Sequence, residues 1–311
     1  MENPPTILLV LALLCVSVVA ATRTKLQSIN NLDVVGICKS MVETQGYTCQ
    51  EHQVTTEDGY ILGLQRIPKG RSGNEIADRQ PVLLQHGGLL DASSWLLNPP
   101  DQSLAFILAD NGFDVWLANF RGTKSSRGHT SLSPDDDPIF CSSQNPNRQI
   151  QQLVEFICTT RGIDCSNLLA AIGGPNCCLN FSNIDALVEH DPQPTATKNL
   201  IHLSQIVRKG TVEMYDYGLE DTNIKHYKKP TPPVYNMANI PKDVPLFFSY
   251  GGRDSIADIN DVGILLDKLR DHDRDKLVVQ YREEYAHVDF IMSVNANQDV
   301  YGPLLAFFRL H

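Results

Sequence analysis

The sequence has little basic character. No run of Lys and Arg exceeds the pair Lys228-Lys229, and 36 acidic residues against 26 basic ones give a formal net charge of −10. This balance argues against nucleic acid or an anionic membrane surface as the main partner. The chain also has no internal repeat and no low-complexity tract. With 311 residues, 42% of them hydrophobic and 20% charged, the composition excludes a disordered or collagenous chain and favours one elaborated domain or two small ones.

Long apolar runs are scarce as well. One stretch extends from Ile7 to Ala20 and ends in small residues, a pattern typical of a signal peptide over residues 1–21 with cleavage near Ala20. The stretch is short for a membrane span, but no Lys or Arg precedes it, so a retained anchor is the alternative. No second run of spanning length follows. We therefore expect entry into the secretory pathway, no transmembrane segment after the signal, and an extracellular, vacuolar or lysosomal destination.

The cysteines lack the spacing of a zinc site, because no Cys-x-x-Cys pair occurs and Cys177 and Cys178 are adjacent. Seven cysteines remain after the signal peptide, an odd number that leaves at least one thiol unpaired. An oxidising secretory route favours disulfides between cysteines separated by short loops. The candidate pairs are Cys38–Cys49 and Cys158–Cys165. The sole N-glycosylation sequon begins at Asn180 and agrees with the same route.

Two stretches of the sequence alternate strands and helices. The first predicts a hairpin over residues 51–67, then a strand, a helix and a strand over residues 81–85, 103–111 and 113–120. The second predicts a strand, a helix and a strand over residues 244–250, 259–269 and 276–281, and a closing helix over 300–310. Strand, helix, strand is the βαβ unit of an α/β sheet. Residues between the two stretches predict helices at 149–157, 183–189 and 198–208, joined by prolines, and we interpret them as an insertion over the sheet.

Candidate catalytic residues follow three of the predicted strands. These are the turn His86-Gly87-Gly88-Leu89-Leu90, the segment Gly251-Gly252-Arg253-Asp254, and His287 after the next strand. An α/β sheet keeps its site at such strand ends. An Asp followed by a His in chain order matches the last two members of a Ser, Asp, His triad. The simpler alternatives are an ordinary turn, an N-cap at Asp254 or Asp258 for the next helix, and a half-buried structural His287.

Together these motifs make the sequence similar to the acid lipase family, which includes the gastric and lysosomal lipases and secreted plant relatives. The resemblance extends from about Val35 to the C-terminus. It rests on Gln85-His86-Gly87-Gly88 with Trp95, Asp114 to Gly122, Tyr215-Asp216-Tyr217-Gly218, Gly251 to Asp254, and His287-Val288-Asp289-Phe290.

The resemblance implies an α/β-hydrolase fold with a helical cap and a carboxylic ester hydrolase that needs no cofactor. Its substrate would be a neutral lipid or ester at a lipid–water interface. The implied domains are an N-terminal half of the core (residues 35–137), the cap (138–240) and the C-terminal part of the core (241–311). The implied site residues are Asp254 as triad acid, His287 as triad base, Gly88 and Leu89 in the oxyanion hole, and a cap disulfide at Cys158 and Cys165.

The nucleophile motif of this fold is absent. An α/β-hydrolase presents its serine on a Gly-x-Ser-x-Gly turn between a strand and a helix. Neither this motif nor Gly-x-Cys-x-Gly occurs in the 311 residues. In the family it falls in an interval that here shrinks to Asp136-Asp137-Pro138-Ile139. We therefore expect an internal truncation that removes the central elbow strand near Asp137-Pro138, leaves neighbouring strand edges unpaired, and lowers stability.

Three functional hypotheses follow from the truncated pattern. The first is a lipase-family ester hydrolase whose chain is inactive because the serine is missing. The alternative is a non-catalytic lipid-binding or decoy module that keeps the cap. The third is a hydrolase that recruits Ser93 or Ser94, although these serines are more simply explained as part of a loop that caps the helix near Ser103.

Overall fold

A computed structural model describes residues 36–72, 78–132, 165–179 and 184–311. The predicted signal peptide, the Asp136–Ile139 interval and the predicted helix at 149–157 lie outside the described residues. Within the described part, the strands form two separate sheets, one from each of the two βαβ stretches of the sequence. No helix of the described part is long and apolar enough to cross a membrane.

The first sheet contains five strands, which are β1 (Gln50–Thr55), β2 (Tyr60–Ile67), β3 (Pro81–Gln85), β4 (Asp114–Ala118) and β5 (Gly128–His129). Their order is β1-β2-β4-β3, and β5 pairs with β2. β1 and β2 form the predicted antiparallel hairpin. β3 and β4 are parallel and are joined by α1 (Leu104–Asp110), which confirms the predicted βαβ unit.

Among the described residues, four α-helices come between the two sheets in the chain. They are α2 (Cys165–Gly173), α3 (Ile184–His190), α4 (Thr197–Lys209) and α5 (Glu220–Tyr227). The predicted helices at 183–189 and 198–208 correspond to α3 and α4. The sequence pattern did not predict α2 or α5. The Asp191-Pro192 peptide bond that follows α3 is cis.

The second sheet has two parallel strands, β6 (Leu246–Gly251) and β7 (Leu277–Arg282), with α6 (Ile259–Lys268) between them in the chain. Asp258 caps α6, because its carboxylate accepts the N–H groups of Asn260 and Asp261. A four-residue helix, α7 (Asp289–Met292), and a closing helix, α8 (Gly302–Leu310), complete the chain.

The main hydrophobic core lies between the first sheet and the helices packed on it. Phe106 and Leu108 of α1 and Val115 and Leu117 of β4 have almost no exposed surface. Tyr47 stacks on Phe106 with ring centroids 4.4 Å apart. The C-terminal segment contributes a further set to the same cluster, namely Tyr285, Ala296, Val300, Tyr301 and Leu305. The two ends of the described chain are therefore joined through one core.

The outer edge of β3 pairs with no strand of the described residues, and the same is true of the second edge of β6. Leu83 of β3 is 62% exposed. Parallel strands are normally covered on both faces, and exposed edges are normally protected. The expectation of unpaired edges next to the truncation thus agrees with the sheet order seen in the described part.

Candidate active site

Asp254 lies in the loop that follows β6, and this loop is held against the loop that follows β7. The N–H of Gly252 donates to the carbonyl of Arg282 (2.9 Å), and the N–H of Arg253 donates to that of Tyr285 (3.0 Å). The two loops approach so closely that a Cβ on Gly251 would collide with the carbonyl oxygen of Tyr285. Glycine at the end of β6 is therefore what allows Asp254 to approach the His287 loop.

The structure brings Asp254 and His287 into direct contact. Nδ1 of His287 lies 3.0 Å from Oδ2 of Asp254. The other carboxylate oxygen, Oδ1, accepts the N–H groups of Ile256 (2.8 Å) and Ala257 (2.9 Å). The Asp254 side chain is 5% exposed and that of His287 is 43% exposed. The carboxylate is therefore buried and fixed, while the imidazole reaches the surface.

The electrostatics of the pair favour an ionised aspartate. Burial by itself raises the pKa of Asp254, but the hydrogen bonds from His287, Ala257 and Ile256 outweigh burial, so the pKa is lowered below 3.8. A carboxylate only accepts hydrogen bonds, so in the neutral imidazole Nδ1 of His287 carries the hydrogen and Nε2 has the lone pair. Nε2 makes no hydrogen bond to any residue in the described ranges. An imidazole in this state can accept a proton at Nε2.

The turn after β3 is open at the two residues predicted for an oxyanion hole. A Cβ on Gly88 would meet nothing within 4 Å. Leu89 has a left-handed backbone with φ of 62°. Within the described part of the chain, neither N–H donates a hydrogen bond. Two unpaired N–H groups in an open turn are donors available to a bound oxygen.

His86, the first residue of this turn, is a structural histidine. Its Nε2 accepts the N–H of Phe120 (3.0 Å), so its Nδ1 carries the hydrogen and donates to the carbonyl of Gly87 (2.7 Å). Burial lowers the pKa of His86, although the hydrogen bond to Gly87 and the charge of Asp91 act in the opposite direction. The neutral ring therefore ties the end of β3 to the end of β4.

The serines beside the turn are engaged in local structure. Residues Ala92–Trp95 form a short 3₁₀ helix that Asp91 caps by accepting the N–H of Ser93 (2.8 Å). The hydroxyl of Ser93 donates to the same carboxylate, and that of Ser94 donates to the carbonyl of Asp91 (2.8 Å). Both serines are buried. They therefore belong to a local turn, as expected, but that turn does not cap α1, whose N-cap residue is Ser103.

A buried carboxylate that sequence reasoning missed lies close to Asp91. Asp191 is 6% exposed, and neither of its carboxylate oxygens has a hydrogen-bond partner in the described residues. Burial and the negative charge of Asp91 raise its pKa to about 8, against a smaller opposing effect of Lys124. The segment that carries it contacts the turn after β3, because the N–H of Gln193 donates to the carbonyl of Leu89 (2.7 Å). In the sequence, Asp191 is a polar residue before Pro192, and this local pattern does not predict that it is buried.

The predicted disulfides and the sequon have different outcomes. The Cys38–Cys49 disulfide is present, and a second disulfide joins the adjacent Cys177 and Cys178. The predicted pair Cys158–Cys165 stays a prediction, because Cys158 and the Cys165 side chain lie outside the described residues. The sequon at Asn180 also lies outside them. Among the described residues, no group of three or more His, Cys, Asp or Glu side chains is arranged to hold a metal ion.

Comparison with known proteins supports the resemblance seen in the motifs. Residues 38–99 match the family model "Partial alpha/beta-hydrolase lipase region". Triacylglycerol lipase 2 of Arabidopsis thaliana is 40% identical over 366 aligned positions, with 88% of each chain covered. Triacylglycerol lipase 1 of the same plant is 30% identical, with 97% of each chain covered. Gastric triacylglycerol lipase of Rattus norvegicus is 29% identical, with 86% of this chain and 90% of the relative covered.

The length of the first alignment reveals a large internal difference. Since 88% of 311 residues is about 274 residues, about 90 of the 366 aligned positions have no residue in this chain. Together these positions equal the length of two or three units of about 30 residues, the size of a βαβ unit. With these relatives, the sheet-and-helix architecture and the motifs at the strand ends, the chain belongs to the acid lipase family of α/β-hydrolases, in a form truncated internally.

Proposed function

We propose that this chain is an acid-lipase-type carboxylic ester hydrolase that has lost the segment carrying the nucleophile and is catalytically inactive as it stands. In this proposal Asp254 orients His287, His287 is the base, and Gly88 and Leu89 supply half of the oxyanion hole. The observation that carries the proposal is the hydrogen bond of 3.0 Å between His287 Nδ1 and the buried Asp254, in a chain without Gly-x-Ser-x-Gly.

The chemistry of the intact site explains why the missing segment matters. In the fold, the serine hydroxyl donates its proton to the histidine, and the N–H of the residue after the serine is the second oxyanion donor. Both belong to the elbow, so its loss removes the nucleophile and one of the donors. Loss of a triad member leaves only about 10³–10⁴-fold catalysis over water even in an otherwise intact site. The proposed division into core, cap and core places this loss near Asp137-Pro138.

Restoring the elbow tests the assignment. We would insert, between Asp137 and Pro138, the segment of Triacylglycerol lipase 2 that has no counterpart here, and measure hydrolysis of a short-chain p-nitrophenyl ester and of a triacylglycerol emulsion. The restored chain should hydrolyse both, and His287→Ala should lower its rate by about 10³-fold or more. His52→Ala, a histidine of β1, is the matched control and should leave the rate unchanged.

The unmodified chain is tested in parallel. It should hydrolyse neither substrate faster than its own His287→Ala variant. Hydrolysis that this substitution abolishes would refute the inactivity, and a folded restored chain without activity would refute the residue roles. Sequencing the transcript across the codons for Asp137 and Pro138 then tells whether the same locus also encodes the elbow.

The route through the cell is part of the same proposal. We propose that the chain enters the secretory pathway, which the apolar stretch at residues 7–20 and the Cys38–Cys49 disulfide support. N-terminal sequencing of protein recovered from the medium or vacuole should begin close to Ala21. Recovery of a full-length, membrane-bound chain would favour the retained anchor.

A second candidate is the non-catalytic lipid binder. It is favoured by exposed apolar side chains on α4, where Ile201, Leu203 and Val207 are each more than 40% exposed. A fluorescent fatty acid should then bind saturably to the monomeric, cooperatively folded chain, and Val207→Lys should weaken that binding. Signal that rises without saturation, or that follows aggregation, would reject this candidate.

A further inference from the structure

Asp289 is a buried carboxylate beside the His287 loop with no role in the triad. It begins α7, has no exposed surface and accepts three backbone N–H groups. Oδ2 accepts the N–H of Ala286 (2.8 Å) and of Cys177 (3.1 Å), and Oδ1 accepts that of Cys178 (3.2 Å). Buried carboxylates are costly unless such donors satisfy them, so the contact is a specific one.

These donors show that Asp289 is not a helix cap. A capping carboxylate accepts N–H groups from the first turn of its own helix. In α7, the N–H groups of Ile291 and Met292 instead donate to the carbonyl of Val288. The side chain of Asp289 reaches back to residue 286 and across to residues more than 100 positions earlier in the chain. It joins two separate segments rather than ending a helix.

The segment from Gly173 to Cys178, here called the strap, contacts both loops of the Asp254–His287 pair. The carbonyl of Gly173 accepts the N–H of His287 (3.1 Å) and that of Ser255 (3.2 Å). At Gly174, where φ is 95°, a Cβ would collide with the carbonyl oxygen of Arg253. One end of the strap thus lies against the residues on either side of Asp254 and against His287 itself.

The other end of the strap is the part that Asp289 holds. The N–H groups of Cys177 and Cys178 donate to its carboxylate, and the carbonyl of Cys178 accepts the N–H of Val294 (3.0 Å). The backbone of the His287 loop is consequently fixed at two adjacent residues, at Ala286 by Asp289 and at His287 by Gly173. With both fixed, the imidazole has only its side-chain torsions left.

We propose that Asp289 is a positioning residue, which holds the His287 imidazole against Asp254 by clamping the His287 loop to the strap. The proposal rests on the assignment of Asp254 and His287 as the acid and base of the site. Loss of the carboxylate leaves three buried N–H groups without an acceptor, and the energetic cost of such groups drives local rearrangement. Because the strap also contacts Ser255, the rearrangement separates the two side chains of the pair.

The test uses the hydrogen between His287 and Asp254, which requires no catalytic activity. In the full chain with ¹⁵N-labelled histidine, NMR should show the Nδ1 proton of His287 well downfield of the amide region. Asp254→Asn should abolish this resonance. Asp289→Asn, which replaces an acceptor oxygen by a donor, should broaden it beyond detection or shift it upfield. Asp258→Asn is the matched control, because Asp258 also accepts two backbone N–H groups, at the start of α6.

The outcomes separate this inference from the proposed function. An unchanged resonance in a folded Asp289→Asn protein overturns the positioning role and leaves the pair intact. A resonance that is absent in the wild type, or unaffected by Asp254→Asn, overturns the pair and the inference together. A general loss of stability without a positioning role would lower the melting temperature of Asp289→Asn and leave the resonance in place.

If Asp289→Asn does not fold, hydrogen exchange on the unmodified chain decides. The amides of Ala286, Cys177 and Cys178 share one acceptor, so they should become exchangeable in one common opening and give equal opening free energies. Fast exchange of Ala286 beside slow exchange of the two cysteine amides would overturn the clamp.

Discussion

The two βαβ units of the molecule have the same topology and differ in how much of their helix is buried. In the unit β3-α1-β4, every residue from Leu104 to Ala109 is buried. In the unit β6-α6-β7, α6 has no buried residue, and Ile264 is 55% exposed. Both helices have the apolar positions of a core-facing helix. Part of the difference follows from sequence, because α1 is apolar at every position from 104 to 109 whereas α6 also carries polar residues. The exposure of apolar Ile264 instead reflects the surroundings of the second unit.

The surroundings differ in the number of strands and in what covers them. The first unit belongs to a five-stranded sheet whose core also receives the N-terminal residues Val42 and Tyr47 and the helix α8. The second unit has two strands, and in β7 both Val278 and Val279 are exposed. A pair of strands is at most marginally stable by itself and depends on what packs against it. The comparison indicates that the second unit was shaped for a sheet with more strands.

The roughly 90 aligned positions without a residue in this chain give this difference a physical explanation. Within the described residues, β3 and β6 each have an edge that pairs with no strand, and the elbow strand expected from the resemblance would lie beside the strand that ends at His86 in the sheet. A segment removed from the middle of a sheet leaves apolar faces and edges on both sides of the gap. The stability of the chain is then concentrated in the first unit, and substitutions in both units can test that comparison.

The largest effect is expected from removing a buried aromatic ring of α1. Phe106→Ala should lower the free energy of unfolding by about 3–5 kcal/mol, since Phe106 is fully buried and its removal leaves a cavity. Ile264→Ala, the equivalent truncation in α6, should change it by less than about 0.5 kcal/mol because the side chain is largely in water. Urea unfolding of both variants measures the difference. Equal losses would show that the second unit is as well packed as the first.

The same comparison separates what the sequence predicted from what it did not. Both βαβ units and the hairpin lie within a few residues of their predicted positions, because strand and helix periodicity is a local property. The exposure of α6 was not predictable, since periodicity marks an apolar face without saying what packs on it. The helix α5 was missed for a related reason. It carries no apolar stripe, and its Asn223 side chain donates to Asp216 and to the carbonyl of Pro230.

The residues of the candidate site also fall into those that the sequence predicted and those that it did not. The pairing of Asp254 with His287 was predictable, because each follows a strand and parallel strands end at one edge of a sheet. Asp289 and Asp191 were not. Asp289 accepts hydrogen bonds from amides more than 100 residues away. The pKa of Asp191 is raised in part by the charge of Asp91, at a similar separation in the sequence. Contacts of this kind exist only in the folded chain, and a single sequence carries no local signal for them.

A second effect concerns the pH dependence of stability and comes from Asp191, which follows α3 and lies near Asp91. Its pKa is raised from 3.8 to about 8 in the folded state, so between about pH 4 and pH 8 the folded chain holds a proton that the unfolded chain releases. This group therefore makes stability fall as pH rises through that window, by up to about 1.4 kcal/mol per pH unit. Below pH 4 both states are protonated and the effect vanishes.

Asp191→Asn isolates this contribution, because an amide cannot ionise. We expect the variant to be more stable than the wild type near pH 8, with a difference that shrinks to a small constant value near pH 4. Urea unfolding at each pH measures it, and Asp221→Asn, at an exposed position of α5, should keep the wild-type pH dependence. Parallel pH profiles for the wild type and Asp191→Asn would mean that Asp191 is ionised in the folded chain.

The smallest effect on stability, and the most direct test of the uncovered sheet, is expected at β3. Leu83 is 62% exposed, whereas its neighbour Leu84 is 8% exposed, so the two leucines report on opposite faces of one edge strand. Leu83→Lys should change the free energy of unfolding by less than about 0.5 kcal/mol. It should also reduce the concentration-dependent association of the chain, because a charge on an exposed strand opposes edge-to-edge pairing. Light scattering measures this association. Leu84→Lys should unfold the chain because it buries the charge. Unchanged association of Leu83→Lys would show that the exposed face of β3 plays no part in contacts between chains. The lower stability expected from the truncation would then have to come from the second βαβ unit.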